Sequence, residues 1–342
     1  CFITICSERA IKEARLAEQA LLKGETLGAL HGVPFTVKDI VHTEAVVTSF
    51  GAVPLKDFVP SEDAVAVARL RRAGAILIGK TTTPEFGSKC LTDSPLFGKT
   101  ANPWQLGRTS GGSSGGAAVA VAAGIAPIAI ATDGGGSTRI PAACNGVVGI
   151  KQSLGLVPHS QAQDLFSNQT YVTPMTRTVA DTALMLDLMG GEHPCDPWSN
   201  GFEKPDLFRT IGDMKSLRGK RIMAWAAPPE RPLATETRQL FELALLRLSD
   251  LGAVIEPVEG NGMDIEAVWR TINHTVWRIR FADLAARYGQ DLSDTFHRQL
   301  ALAKDLSAVA YQEAMFERTK LFLRVQAMFG SVDFLAMPTI SR

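Results

Sequence analysis

Gly111-Gly112-Ser113-Ser114-Gly115-Gly116 opens a run of small residues, Ala117 to Ala123, and the chain then passes through Ile125 to Ala131 into Asp133-Gly134-Gly135-Gly136-Ser137-Thr138-Arg139. Read locally, this is a glycine turn, a small-residue helix over Gly115 to Ala123, an apolar strand over Ile125 to Ala131 and a second glycine turn. The apolar stretch Ala117 to Ala131 is broken by Gly124 and Pro127 and is too short to cross a bilayer. Both turns place a serine among residues without side chains, where bare amide N–H groups can converge on a developing negative charge.

The same alternation of helix and strand continues on either side. Ser61 to Ala73 reads as a helix with Ser61 as its cap, Glu62 and Asp63 in the first turn, Arg71 and Arg72 in the last and Gly74 at its exit; Ala75 to Ile78 follows as a strand. Lys220 to Ala226 is an expected strand, Glu236 to Asp250 a helix ending at Gly252, and Ala253 to Val258 another strand. Thr178 to Met189 reads as a helix with Thr178 and Asp181 in a capping-box-like arrangement. Two long helical patterns, about Ile265 to Tyr288 and Ser307 to Phe329, are separated by the polar, turn-rich Gly289 to Asp294, and Phe334 to Met337 is a last strand candidate. The expectation is an α/β fold with a mixed, largely parallel sheet covered by helices on both faces, in one layered domain over residues 1–342.

Composition narrows the functional classes. Of 342 residues 46% are apolar and 20% charged, the profile of a globular chain with a sizeable core. Lys plus Arg balance Asp plus Glu at 35 each, and no basic run tracks a phosphate backbone, so nucleic acid is not expected as a partner. The five cysteines, Cys1, Cys6, Cys90, Cys144 and Cys195, form no C-x-x-C pair and indicate neither a disulfide framework nor a metal site. No secretory signal is visible, which gives a cytoplasmic expectation.

A serine hydroxyl is a weak nucleophile and needs a positioned base. The six histidines, at 31, 42, 159, 193, 274 and 297, share no pattern. Lys38 is the better candidate, because the strand-like Val33-Pro34-Phe35-Thr36-Val37-Lys38-Asp39 carries it into apolar surroundings, and burial lowers a lysine's pKa until the neutral amine can accept a proton.

These residues carry a resemblance. Gly32-Val33-Pro34 with Lys38-Asp39, Pro84-Glu85-Phe86-Gly87, Asn102-Pro103-Trp104, the Gly-Gly-Ser-Ser-Gly-Gly block, Asp133 to Arg139, Pro141-Ala142 and Gly146-Val147-Val148-Gly149 with Lys151 resemble the amidase signature family of serine hydrolases, over a core of residues 32–181. The resemblance implies that Ser137 is the nucleophile, Ser113 the bridging serine of a Ser-cisSer-Lys triad and Lys38 the base. It also implies a cis peptide between Gly112 and Ser113, an oxyanion hole from the N–H groups of Gly134, Gly135, Gly136 and Ser137, and supporting roles for Ser114, Asp133 and Arg139. No cofactor and no metal are implied. The reaction implied is cleavage of an amide, anilide or carbamate C–N bond through an acyl-enzyme. Alternatives are an amidotransferase-like subunit that releases ammonia for a partner, and a non-catalytic protein whose glycine turns hold an anion. A homodimer is left open.

The chain departs from the family at Gly134 and Thr138, where Thr and Ile are common, and at Lys151-Gln152-Ser153-Leu154-Gly155-Leu156, where Lys-Pro-Thr-x-Gly-Arg is usual. Family members begin before the position of Cys1 and run past Met337-Pro338-Thr339, so the chain is expected to be truncated at both ends. The irregular segment His159 to Tyr171 is expected to line the acyl pocket through Phe166 and Tyr171, together with Phe86.

Two other motifs compete. Gly74-Ala75-Ile76-Leu77-Ile78-Gly79-Lys80-Thr81 matches the P-loop pattern letter for letter, but its interior reads as a buried strand rather than an exposed phosphate cradle. Gly111-Gly112-Ser113-Ser114-Gly115 matches the nucleophile elbow of α/β-hydrolases, which needs a strand directly before it; Asn102 to Ser110, with Pro103, Gly107 and Arg108, does not read as one.

Overall fold

The computed structural model describes residues 1–166, 169–213, 216–225, 233–258 and 265–341. The chain divides into two compact units, Cys1–Ile211 with Tyr288–Phe296, and Gly212–Arg287 with His297–Arg342.

The first unit is built from β1 (Phe2–Ile5), α1 (Ser7–Leu22), β2 (Pro34–Lys38), α2 (Val65–Arg72), β3 (Ile76–Thr81), the short β4 (Asp93–Ser94) and β5 (Gly98–Lys99), α3 (Gly115–Ala122), β6 (Ile128–Asp133), α4 (Arg139–Asn145), β7 (Val148–Gly149), β8 (Tyr171–Thr176), α5 (Val179–Met189) and α6 (Leu207–Thr210). Six strands form one sheet in the order β1-β3-β2-β6-β8-β7. Its centre, β3-β2-β6, is parallel, whereas β1 pairs antiparallel with β3 on one side and β8 pairs antiparallel with both β6 and β7 on the other. The mixed sheet expected from the sequence is therefore present, with its parallel part in the middle.

Strand alternation divides the core into two layers. Phe35, Val37, Leu77, Ile128 and Ile130 pack with Val67 and Leu70 of α2 and Met185, Leu186 and Met189 of α5. The interleaved Ala129 and Ala131 pack with Ala117, Ala118 and Val121 of α3 and Ala142 of α4. Large side chains fill one face and alanines the other, so α3 can lie close against the sheet. Helices thus cover both faces.

α5 begins as the sequence indicates, with the Thr178 hydroxyl accepting from Asp181 N at 3.0 Å. α2 is a correction, because it starts at Val65, and its cap position is Ala64 rather than Ser61. The acidic residue ahead of it serves the loop instead: Asp63 accepts from Glu44 N at 2.8 Å and pairs with Arg71 at 2.7 Å. β8 is not legible as a strand in the sequence, since Pro174 interrupts its pattern.

Further along the chain β9 (Arg221–Trp225), α7 (Thr235–Asp250) and β10 (Val254–Val258) form a parallel crossover in the second unit, followed by α8 (Glu266–Tyr288), α9 (Asp294–Ala301), α10 (Ala308–Phe329) and β11 (Phe334–Ala336), of which Tyr288 and the first residues of α9, through Phe296, fall in the first unit. The sheet order is β10-β9-β11, all parallel. Ala226, the expected end of β9, lies outside the described residues. Ser307 caps α10 through a 3.1 Å bond from Ala310 N. α9 is a short helix that the turn-rich pattern of Gly289 to Asp294 does not announce. Among the described residues, no helix is long and apolar enough to cross a membrane, and no cluster of three or more His, Cys, Asp or Glu could hold a metal ion.

Candidate active site

β2 and β6 are adjacent parallel strands, and both end at the same edge of the first unit, β2 with Lys38 and β6 with Thr132-Asp133. Crevices at the carboxyl ends of parallel strands are where α/β folds place ligands, because the chain leaves the sheet there in loops. Lys38 has the parity of Thr36, which lies across from Ala129, so its side chain leaves the sheet on the α3 face. It is completely buried. Its Nζ lies 2.6 Å from Ser113 Oγ and 2.9 Å from Thr132 Oγ1. Burial drives the Lys38 pKa down to about 7, against an opposing pull from the Asp133 charge. An amine in that range exchanges its proton near neutral pH.

Ser113 stands at the start of α3 after a cis Gly112–Ser113 peptide bond. The preceding glycines are dictated by close approach: a side-chain carbon on Gly112 would come within 2.7 Å of the Cys90 and Leu91 backbone, and Gly111 has φ 72°. Ser114 joins the two serine turns. Its N–H donates to Ser137 O at 3.0 Å, and its hydroxyl donates to Thr132 O at 3.2 Å.

The second turn is organised by Asp133, whose side chain is fully buried. Asp133 accepts from Gly136 N at 2.8 Å, Thr138 N at 3.1 Å and Arg139 N at 3.3 Å, and from Arg139 Nε and Nη2 at 2.9 and 2.7 Å. Burial alone would push this carboxyl up, but the bonds from Arg139, Gly136 and Thr138 outweigh it and hold the group below its ordinary value. A fixed carboxylate thus curls residues 134–138 around itself.

Not every expected donor remains available. The Gly136 N–H is occupied by Asp133, whereas the N–H groups of Gly135 and Ser137 have no hydrogen-bond partner among the described residues. Gly135 is exposed, and Gly134 and Ser137 are half-buried. The structure therefore brings Lys38, Ser113 and Thr132 together by direct contact and ties Ser137 to Ser114 through the backbone. The Ser137 hydroxyl itself has no bonded partner among the described residues.

The three expected pocket aromatics fare differently. Phe86 sits in a turn at φ 51°, with its ring 6.2 Å from Phe50 and 4.8 Å from Phe296. Tyr171 begins β8 opposite Asp133, and Lys151 Nζ lies 3.6 Å above its ring. Phe166 is 76% exposed, and the adjoining residues 167 and 168 lie outside the described residues.

The P-loop reading fails on the same geometry. Gly79 and Lys80 lie within β3, and the Lys80 ammonium is buried against Val41 O, Thr43 Oγ1 and Thr48 Oγ1. The stretch before Ser113 contains only an isolated bridge between Ala101 and Thr109, not the strand a nucleophile elbow requires. Thr132 is the contact that sequence reasoning missed. The expected strand stops at Ala131, and the one available signal is that a polar residue sits beside Asp133 where the apolar run ends.

The family model described as Amidase matches residues 1–342. The chain belongs to the amidase signature family. It is 43% identical over 270 residues to an acylamidase of Rhodococcus erythropolis, covering 78% of this chain and 55% of that protein. It is 40% identical over 267 residues to a glutamyl-tRNA(Gln) amidotransferase subunit of Alkaliphilus metalliredigens, covering 77% of this chain and 54% of the relative. A solved bacterial aryl acylamidase of the amidase signature family superposes with a TM-score of 0.91 at 28% identity, over all of this chain and 72% of that one. This amidase signature chain spans about half the length of the curated relatives it matches.

Proposed function

We propose that the chain is an amidohydrolase that cleaves amide, anilide or carbamate C–N bonds through an acyl-enzyme on Ser137. The observation that carries this reading is the fully buried Lys38 amine 2.6 Å from the Ser113 hydroxyl, beside a turn shaped by Asp133. In the first step Ser137 Oγ attacks the substrate carbonyl, and its proton passes through Ser113 to the neutral Lys38 amine. The N–H groups of Gly135 and Ser137 receive the carbonyl oxygen as it becomes anionic. The tetrahedral centre collapses, the C–N bond breaks, and the Lys38 proton returns through Ser113 to the departing amine. Water then attacks the acyl ester, and the same relay restores the Ser137 hydroxyl. Ser113 fits the relay because its hydroxyl has no hydrogen-bond partner but Lys38 among the described residues, so it is free to accept and donate.

The similarity to an acylamidase supports a substrate with a carboxylic acyl group on nitrogen. Relatives that belong to amidotransferases support a second reading, in which the same groups release ammonia for a partner protein. Purification as a stable hetero-complex would favour that reading, and turnover of simple anilides by the isolated chain would oppose it.

The test is intact mass after incubation with a fluorophosphonate. One adduct on the wild-type chain, absent from Ser137→Ala and Lys38→Met, is expected. A folded wild-type chain that takes no adduct would leave the glycine turns as an anion-holding site and end the hydrolase reading.

A further inference from the structure

Lys80 is the one fully buried lysine besides Lys38 among the described residues, and the relay above does not use it. It lies opposite Val37 in the β2–β3 register and therefore faces the layer of large side chains, away from Ser113. Its three nearest partners can only accept. Val41 O is a carbonyl at 2.5 Å; Thr43 Oγ1 at 2.9 Å and Thr48 Oγ1 at 2.7 Å already donate their own hydrogens to Val41 O and Val46 O. Three acceptors match the three donors of an ammonium.

Asp39 completes the arrangement from the other end of the same segment. Its Oδ2 accepts from Ser49 N at 3.1 Å, from Gly51 N at 3.4 Å and from the Ser49 hydroxyl, and its main-chain O accepts from Phe50 N at 2.9 Å. Lys80 thus holds residues 41–48 and Asp39 holds residues 49–51. Burial pushes the Asp39 carboxyl up and the Lys80 amine down, and the attraction between their opposite charges pulls both back towards the ionised forms.

The segment they hold leads to Ser113. Phe50 O accepts from Phe86 N at 2.8 Å, which fixes the turn at Glu85–Gly87. A methyl placed on Gly87 would stand 3.2 Å from Ser113 Oγ and 3.5 Å from Ile40 Cδ1, so Gly87 and Ile40 form a wall beside that hydroxyl. We infer that Lys80 and Asp39 are positioning residues: they hold residues 40–52 so that Ile40 and Gly87 set the space next to Ser113 in which the substrate's substituents must fit. This inference rests on the triad reading.

The test compares labelling rates of wild type, Lys80→Met and Thr48→Val with an ethyl and a decyl fluorophosphonate, alongside near-UV circular dichroism and thermal melting. Both variants are expected to take one adduct and to change the ratio of decyl to ethyl rates by about tenfold, since sub-ångström shifts of a site wall alter rates on that scale. Equal rates per labelled site with only a lowered melting temperature would mean that Lys80 serves stability alone and would overturn the inference. If Lys80→Met does not fold, Thr48→Val decides by itself, because it removes one acceptor and leaves no charge unpaired. A wild-type chain that labels while both ratios stay unchanged sinks this inference only; a wild-type chain that does not label sinks the triad reading and this inference with it.

Discussion

Lys38 and Lys80 sit on neighbouring strands one position apart in register, both are completely buried, and burial pulls both towards a pKa of about 7. They differ in their partners. Lys38 meets two hydroxyls, Ser113 and Thr132, that have no other hydrogen-bond partner among the described residues and can turn to donate or accept as the amine changes state. Lys80 meets a carbonyl and two hydroxyls already committed as donors, with the Asp39 carboxylate acting across the same segment. Depth in the core is the same for both. Whether a buried lysine can cycle its proton or must keep it is set by what the surrounding oxygens are free to do.

Replacing each lysine by methionine should separate the two roles most sharply. If Lys38 is the base of the proposed relay, Lys38→Met is expected to lower turnover by at least about 10³-fold while leaving the melting temperature unchanged or raised, because an apolar chain replaces a buried amine. Assay and thermal melting of one preparation check both halves. Lys80→Met should behave in the opposite sense, costing about 3–5 kcal/mol of stability because it leaves the Asp39 charge uncompensated in the core, readable by urea titration.

Proton traffic gives the next effect. In the proposed relay Lys38 accepts a proton only when neutral, so kcat/KM should fall as pH drops below about 7 and level off above it. A profile flat from pH 5 to 9 would place the base elsewhere. Arg139→Gln removes two charge-assisted bonds to Asp133 and loosens the turn that presents Gly135 and Ser137; a loss of about 10–100-fold in kcat with little change in KM is expected from steady-state kinetics. Thr132→Val should be the mildest, below about tenfold, because Lys38 keeps Ser113. A larger loss would mean that Thr132 shares in orienting the amine during proton transfer.

Much of the candidate site was legible because its chemistry is written in short stretches. Two glycine-flanked serines and a lysine ending an apolar strand can be read without a fold, and so can Asp133 and Arg139 beside them. The parts that were not legible depend on contacts distant in sequence. Ser61 satisfies every local rule for a cap, yet α2 starts at Val65 because Asp63 is bound to Glu44 and Arg71. Phe86, Phe166 and Tyr171 read alike in the sequence, and only the fold gives them different surroundings: Phe86 joins a buried ring cluster, Tyr171 lies under Lys151, and Phe166 is largely exposed.

By itself, the sequence determined the α/β alternation, the glycine turns and the small-residue helix that packs against the sheet, and it put forward Lys38, Ser113 and Ser137 as candidates. These follow from periodicity and from what glycine, alanine and a β-strand sterically permit. Only the tertiary structure decided which N–H groups of the second turn remain open, because Asp133 takes the one on Gly136. It also decided the fates of the two lysines. Their distinction rests on hydroxyls and carbonyls brought in from other strands and loops, and hydrogen-bond direction is a property of the assembled neighbourhood that no single stretch of chain contains.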